Sequence, residues 1–572
     1  MSPHPFPLPT RHPLRLLPPC LLLSLTLALG TAGCRGTADE PRVVTDGRFD
    51  DWAGVEPVLE DPEDAPPRAA VDLGTLRLQD EPAYLHLDLE VRRPVNALGL
   101  RGTIRLLLDA DGDPATGAHV EGLEGADVEV VLSPTDRPRD GGYGLGAGVR
   151  TVGDGYSGPL LPPARVGLLV APTQASRRLE LRLDRGFSLD GEGGGTAWIL
   201  DGGLRLQVVY EAAEGVLDET AVARYELETV FRALPEPARI DLAKTDGTFR
   251  VVAWNVAGRG IGDDPEPFAR VLSAIRPDVV LLDEAHGSLT RAELERFFAL
   301  VDPVDPPRPW SWVMGESGRR QRGVVASRAP LRSVPSLVGP LPYPERSLNR
   351  LTEELGEEAF GDLARVETQA GLAVAGAWVT LEGAGGGGEA GELLFVPVDL
   401  QSRGYLGSPE DRLRSLQAGT IRDRVQEVLE GDQQGSGETL GARGLVVAGD
   451  FNLVGGWEPL ERLATGLDPA GIEPADPDPE GIDLAVAECP TLDGRSLTTW
   501  RATNDAGSLF SPGRLDFHLY SASTLEQVRG FTFDAGALPV GQRRELGVRE
   551  DDSRLTSDHL PVVADYRWRH RQ

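Results

Sequence analysis

Short apolar runs separated by Gly, Pro and Asp set the pattern of this chain. Runs at 75–78, 83–91, 103–108, 128–132, 178–183 and 204–210 either alternate or are wholly apolar. Their length and the turn residues between them predict strands, and an all-β sandwich over 45–230. Past Phe249 the pattern changes. Apolar runs at 251–256, 277–284, 445–452 and 557–562 alternate with helix-period stretches such as 267–275 and 291–300. This predicts a layered α/β domain over 248–572. Between these regions, 231–247 contains Pro235 and Pro237 and predicts a stiffened linker. A chain of 572 residues exceeds what one core organises, in keeping with two folded units.

The first residues predict a targeting segment. Arg11 and Arg15 precede an apolar run at 21–29 that is too short to cross a bilayer. Thr31, Ala32 and Gly33 then lead into Cys34, which resembles a bacterial lipobox. That resemblance implies cleavage after residue 33, lipidation of Cys34 and a tether over 34–44. It also implies an exported protein anchored to the cell envelope; Arg35 after the cysteine favours the outer membrane. An ordinary signal peptide with an incidental cysteine is the competing reading. Cys20, Cys34 and Cys489 are the only cysteines, so export here does not depend on an intrachain disulfide.

Charge narrows the substrate. Losing Arg11 and Arg15 with residues 1–33 takes the formal net charge from −32 to −34. Such a surface repels polyanions, and no dense basic stripe offsets it. Long nucleic acid is therefore the less favoured partner.

Within the α/β region, Leu445, Val446 and Val447 lead through Gly449 to Asp450 and Asn452, which alternation in a strand would project to one face. A carboxylate that activates water beside an amide that donates to a phosphoryl oxygen is a hydrolytic pair. Asn255, the Asp283–Glu284 pair and the Asp558–His559 pair close three other apolar runs. In this order the set resembles the endonuclease/exonuclease/phosphatase superfamily, over roughly 248–568. The resemblance implies a four-layer α/β sandwich, two packed β-sheets flanked by helices, and a metal-dependent hydrolase of phosphate esters. Glu284 and Asp558 would be Mg²⁺ (or Mn²⁺) ligands, with Asn255 beside them. His559 would be the catalytic histidine, oriented by Asp516. Asp450 would activate water, and Asn452 would donate to the scissile phosphate. Two departures stand out. Asp283 replaces a common glutamine, and Asp399 stands where many members carry a second phosphate-binding histidine. A carboxylate there repels a phosphodiester unless it is protonated or recruits a cation. A small or lipid-linked phosphodiester is the favoured substrate; an extracellular endonuclease and a catalytically inactive surface-binding protein are the alternatives.

The sandwich carries two further signals. Asp46, Gly47, Phe49 and Trp52 loosely resemble family-nine carbohydrate-binding modules, implying a glycan partner. Asp109, Asp111 and Asp113, spaced two apart in a glycine-containing loop, suit Ca²⁺ or a solvated acidic turn; the oxygen-rich spacing favours calcium.

Overall fold

The computed structural model of the chain describes residues 43–569, apart from 136–142, 154, 189–196, 302–307, 317–320, 357–370, 383–389, 436–442, 466–483 and 503–506. The expected targeting segment and Cys34 lie outside the described residues.

The N-terminal β region is built on two main sheets. One is five-stranded around Leu73–Asp80, Tyr84–Val95 and Ser176–Asp184. The other is seven-stranded around Thr103–Asp109, Val128–Leu132 and Gly203–Ala212. Leu85, Leu87, Leu89 and Val91 point alternately from one sheet into a core shared with Ile104, Leu106 and Leu108 of the other. Each such side chain contributes about 1.5–3 kcal/mol on burial. The expected run at 128–132 is found unchanged, and that at 83–91 extends to Val95.

In the α/β region a pair of six-stranded sheets face each other. The first runs in the order Ser311–Met314, Gln321–Ser327, Val279–His286, Phe249–Gly258, Val562–Trp568, Leu525–Thr532. The second runs Leu331–Ser333, Ala377–Leu381, Gly391–Asp399, Arg443–Asp450, Asp516–Ser521, Leu484–Val486. Val251, Ala253, Leu281, Phe395, Val446, Ala448 and Val562 fill the space between them. On the outer face of the first sheet, Val252, Trp254 and Leu282 meet Leu272 and Phe297 from the helices Pro265–Ile275 and Arg291–Leu300. On the outer face of the second, Leu394, Val396 and Val447 meet Leu413, Ile421 and Leu460 from the helices Pro409–Gly435 and Glu458–Thr465. The result is helix, sheet, sheet, helix. Burial on both faces explains why these strands read as continuous apolar runs.

Each sheet contains one parallel pair: Phe249–Gly258 with Val279–His286, and Gly391–Asp399 with Arg443–Asp450. The carboxyl ends of the two pairs come together, as the Asn255–Asp450 hydrogen bond shows. The expected linker contains no helix or strand and packs closely: Gln542 binds both the N–H and the C=O of Ile240, at 2.9 and 2.6 Å, and Leu242 is buried. The β region also reaches the loops beside the strand ends. Asn96 donates to the Val454 carbonyl (3.0 Å) and accepts from Leu406 N–H (2.8 Å), while Tyr143 stacks on Tyr405 at 4.0 Å.

Candidate active site

Strand register lays out the site. Asp399, Asp450 and Asp516 are direct neighbours across three adjacent strands, and in the facing sheet Asn255 pairs with Asp283. Like charges set opposite one another in a sheet are destabilising, so a row of three aspartates has to be held by something else. Gly449 makes the close approach possible. Its φ is +140°, and a Cβ there would lie 2.2 Å from the Val398 carbonyl oxygen. No side chain fits.

Two donors sit in the left-handed region, Glu284 (φ 51°) and Asn452 (φ 49°). Such backbone costs roughly 1–2 kcal/mol per residue and collects at functional sites. Glu284 lies where the register of its strand shifts between Leu282 and Ala285, so the bulge turns it out of the regular alternation. Asn452 reaches Asp450 by a different route from the expected strand alternation. The strand ends at Asp450, and the turned Asn452 binds back, its N–H and Nδ2 donating to the Asp450 carboxylate at 2.8 and 2.9 Å. Nδ2 also donates to the Leu400 carbonyl at 2.9 Å. In this arrangement Asn452 braces Asp450, and contact with a phosphoryl oxygen requires release of one of those bonds.

His559 Nδ1 lies 2.8 Å from Asp516 Oδ2, and its Nε2 lies 3.6 Å from Asp450 Oδ2. Burial acts to lower the imidazole pKa, but the Asp516 and Asp450 charges outweigh it and hold His559 well above the usual range, as an imidazolium. Asp516 is fixed in turn by Thr499, whose hydroxyl donates to Oδ2 at 2.7 Å. Asp450 accepts from Asn255 Nδ2 at 3.2 Å. Burial first, and then the Asp516 and Glu284 charges, push Asp450 to about 7 against the opposing effect of His559. That is the range suited to a base at neutral pH.

The donor set suits a hard divalent cation. Carboxylate oxygens of Glu284, Asp399 and Asp450 all lie within 4.8 Å of one another. Removal from water, then Glu284 and Asp450, raises Asp399 well above the carboxylate range. Both oxygens of buried Asp283 have no hydrogen-bond partner, and burial raises that group strongly too. Excess negative charge of this kind is what a cation among oxygen donors relieves.

The structure thus gathers Asn255, Glu284, Asp399, Asp450, Asn452, Asp516 and His559. Asp558 stands at the margin: its carboxylate accepts from Trp500 Nε1 at 3.0 Å, and it belongs to neither acidic group at the centre. Of the expected Ca²⁺ set, Asp109 and Asp111 have oxygens within 4.8 Å of one another and of Asp127. Asp111 and Asp113 each accept from the backbone N–H two residues on, at 2.9 Å. Asp127 immediately precedes the Val128–Leu132 strand, and its Oδ2 accepts from Ala110 N–H at 3.0 Å. Thr499 and Trp500 escaped the sequence reading because an isolated Thr-Trp pair forms no motif. Buried His518 bonds the Val562 carbonyl at 3.1 Å, and burial drives it down to about 4, so it is structural.

A sequence profile described as the Endonuclease/Exonuclease/phosphatase family matches residues 252–559. No curated protein matches the chain in sequence. Solved structures similar to it include the human Nocturnin catalytic domain, with 16% identity over 57% of this chain and 96% of that one, at a TM-score of 0.31. The AP endonuclease LMAP from Leishmania major is 14% identical over 56% and 88% (TM-score 0.32), and sphingomyelinase C from Streptomyces griseocarneus 15% over 56% and 99% (TM-score 0.31).

Proposed function

The chain belongs to the endonuclease/exonuclease/phosphatase family, and on that premise we propose that it is a metal-dependent hydrolase of a small or lipid-linked phosphodiester. The observation that carries this reading is the meeting of Glu284, Asp399 and Asp450 with the Asp516–His559 pair at one set of strand ends. Glu284 and Asp399 would hold a divalent cation of the Mg²⁺ class beside Asp450. When bound, it supplies positive charge that offsets the phosphate and the developing charge on its oxygens. The remaining chemistry belongs to side chains. Asp450, oriented by Asn255 and Asn452, takes a proton from the attacking water. His559, held charged by Asp516, places positive charge near the phosphoryl group and can return a proton to the leaving oxygen. Asp399 acts here as a cation ligand, which removes its repulsion of the substrate and weighs against an inactive protein.

The strongly negative net charge favours a small diester or phospholipid headgroup over polymeric DNA. We also propose that residues 45–230 form a glycan-binding module, residues 248–572 the hydrolase, and that lipidated Cys34 anchors the protein at the bacterial surface. Among the described residues no helix is long and apolar enough to cross a membrane.

Hydrolysis of bis-p-nitrophenyl phosphate with Mg²⁺, Mn²⁺ or Ca²⁺, comparing wild type with His559→Ala, is the test. Cation-dependent turnover that the variant lacks is expected; no turnover with any cation refutes the reading. Cleavage of plasmid DNA in preference to small diesters would instead favour a nuclease. Cys34→Ser should release the protein from membranes, and retention there ends the anchor proposal.

A further inference from the structure

A second group of carboxylates, separate from the strand ends that surround His559, lies where the two main sheets of the β region meet. Asp61 follows the edge strand Leu59–Glu60, and Asp64 lies on the proline-rich loop after it. Asp72 immediately precedes Leu73–Asp80 of the same sheet. Asp218 comes from the opposite sheet, on Gly215–Glu219. Carboxylate oxygens of Asp61, Asp64 and Asp218 all lie within 4.8 Å of one another. Asp61, Asp72 and Asp218 are only 7%, 4% and 5% exposed, while Asp64 faces solvent.

Protein donors leave this cluster short. Among the described residues, Asp61 Oδ2 and Asp72 Oδ1 are buried without a hydrogen-bond donor. Asp218 Oδ2 accepts from Leu73 N–H at 2.6 Å. Arg92 is the cation that approaches: its Nε stands 3.4 Å from Asp72 Oδ1, and its Nη2 donates to the Asp61 carbonyl at 2.5 Å rather than to a carboxylate. One guanidinium faces four carboxylates. Buried carboxylates in native proteins are paired, protonated or bound to a cation.

We propose that Asp61, Asp64 and Asp218 form a structural site for a divalent cation of the Ca²⁺ class, which ties the two sheets together. Ca²⁺ accepts several oxygens in irregular geometry, whereas Mg²⁺ demands a near-octahedral shell and keeps its waters. Exposed Asp64 gives the ion a way in from solvent, and Arg92 stands against Asp72 beside it. In the absence of a cation, burial and then the Asp218 and Asp64 charges push Asp61 up to about 7, and burial raises Asp218 as well. The competing occupant is therefore a proton, and the two give different results on titration.

The test uses the full chain, stripped with EDTA and titrated with CaCl₂ calorimetrically near pH 7.5, with thermal melts run in parallel. Asp64→Asn is expected to bind one Ca²⁺ fewer than the parent and to lose some of the calcium-dependent rise in Tm, while diester hydrolysis is unchanged. Asp61→Asn is expected to do the same. The Asp109–Asp111–Asp127 group and the active site are intact in every chain compared, so their contribution cancels. Equal stoichiometry and equal Tm shifts in parent and variants overturn the proposal and leave a proton as the occupant. Should Asp61→Asn fail to fold by circular dichroism, the solvent-facing Asp64→Asn decides. Unchanged diester hydrolysis separates this result from the fate of the hydrolase reading.

Discussion

Replacing Asp399 with Asn should move stability and activity in opposite directions. The Asp399 carboxylate has oxygens within 4.8 Å of those of both Glu284 and Asp450. Two unit charges at that distance repel by about 3 kcal/mol at an effective dielectric of about 20. Much of this is relieved in the metal-free protein, because Asp399 is only partly buried and its raised pKa lets it hold a proton. A residual gain of roughly 1–2 kcal/mol is therefore expected when the charge is removed and the shape kept. In the cation-bound protein the same charge attracts, so its loss weakens binding by a comparable 1.4–2.8 kcal/mol, or roughly 10- to 100-fold. Urea unfolding in EDTA should thus show Asp399→Asn more stable than wild type. Titration of diester hydrolysis with Mg²⁺ should show a half-maximal concentration shifted upward by that factor. A variant less stable in EDTA, with an unchanged Mg²⁺ requirement, would refute the assignment of Asp399 to a cation cage and return it to the role of a misplaced phosphate contact.

Asp516→Asn should lower kcat by about 100-fold, since it removes the charge that keeps His559 protonated; Thr499→Val, which removes a charge-assisted hydrogen bond to Asp516 and the acceptor of the Leu515 and Asp516 N–H groups, should cost less, about 10-fold, and equal losses would break the proposed chain of support. Arg250, paired with Asp565 at 2.6 and 2.7 Å and capping the Leu242 and Ile275 carbonyls, is almost fully buried; Arg250→Met should cost about 3–5 kcal/mol in urea unfolding by leaving Asp565 uncompensated. Asp80 supplies an acid-stability test: burial acts to raise it, but donors from Thr229, Glu228 and Tyr225 prevail and leave it below the ordinary carboxylate value. The native state then binds fewer protons than the unfolded chain, so Asp80 stabilises above about pH 4 and that contribution fades as pH falls through its depressed value; Asp80→Asn should flatten the acid limb of a stability–pH curve, and an unaltered limb would contradict the sign.

The features legible in the sequence were local ones. Gly449, Asp450 and Asn452 could be singled out because a glycine demanded by close strand approach and two short polar residues lie together in the chain. A layered α/β domain could be anticipated because apolar strands alternate with helix-period stretches, whereas the pair of packed sheets came from the family resemblance. Neighbourhood across the sheets was hidden. Nothing local says that Thr499 meets Asp516, that Asp127 meets Asp109, or that Asp61 meets Asp218. The left-handed turn at Asn452 was equally invisible, since alternation predicts the same proximity to Asp450 by a different backbone path.

The last strand, Val562–Trp568, inserts between Phe249–Gly258 and Leu525–Thr532. Its lead-in carries His559, whose carbonyl receives the Trp254 indole N–H at 3.1 Å. Until that strand docks, the sheet has a gap in its middle, and pairing that distant in sequence is slow to form. The reacting centre therefore assembles only once segments 305 residues apart in the chain have met. Proteolytic removal of Val562–Trp568 would act as an off switch rather than as minor wear.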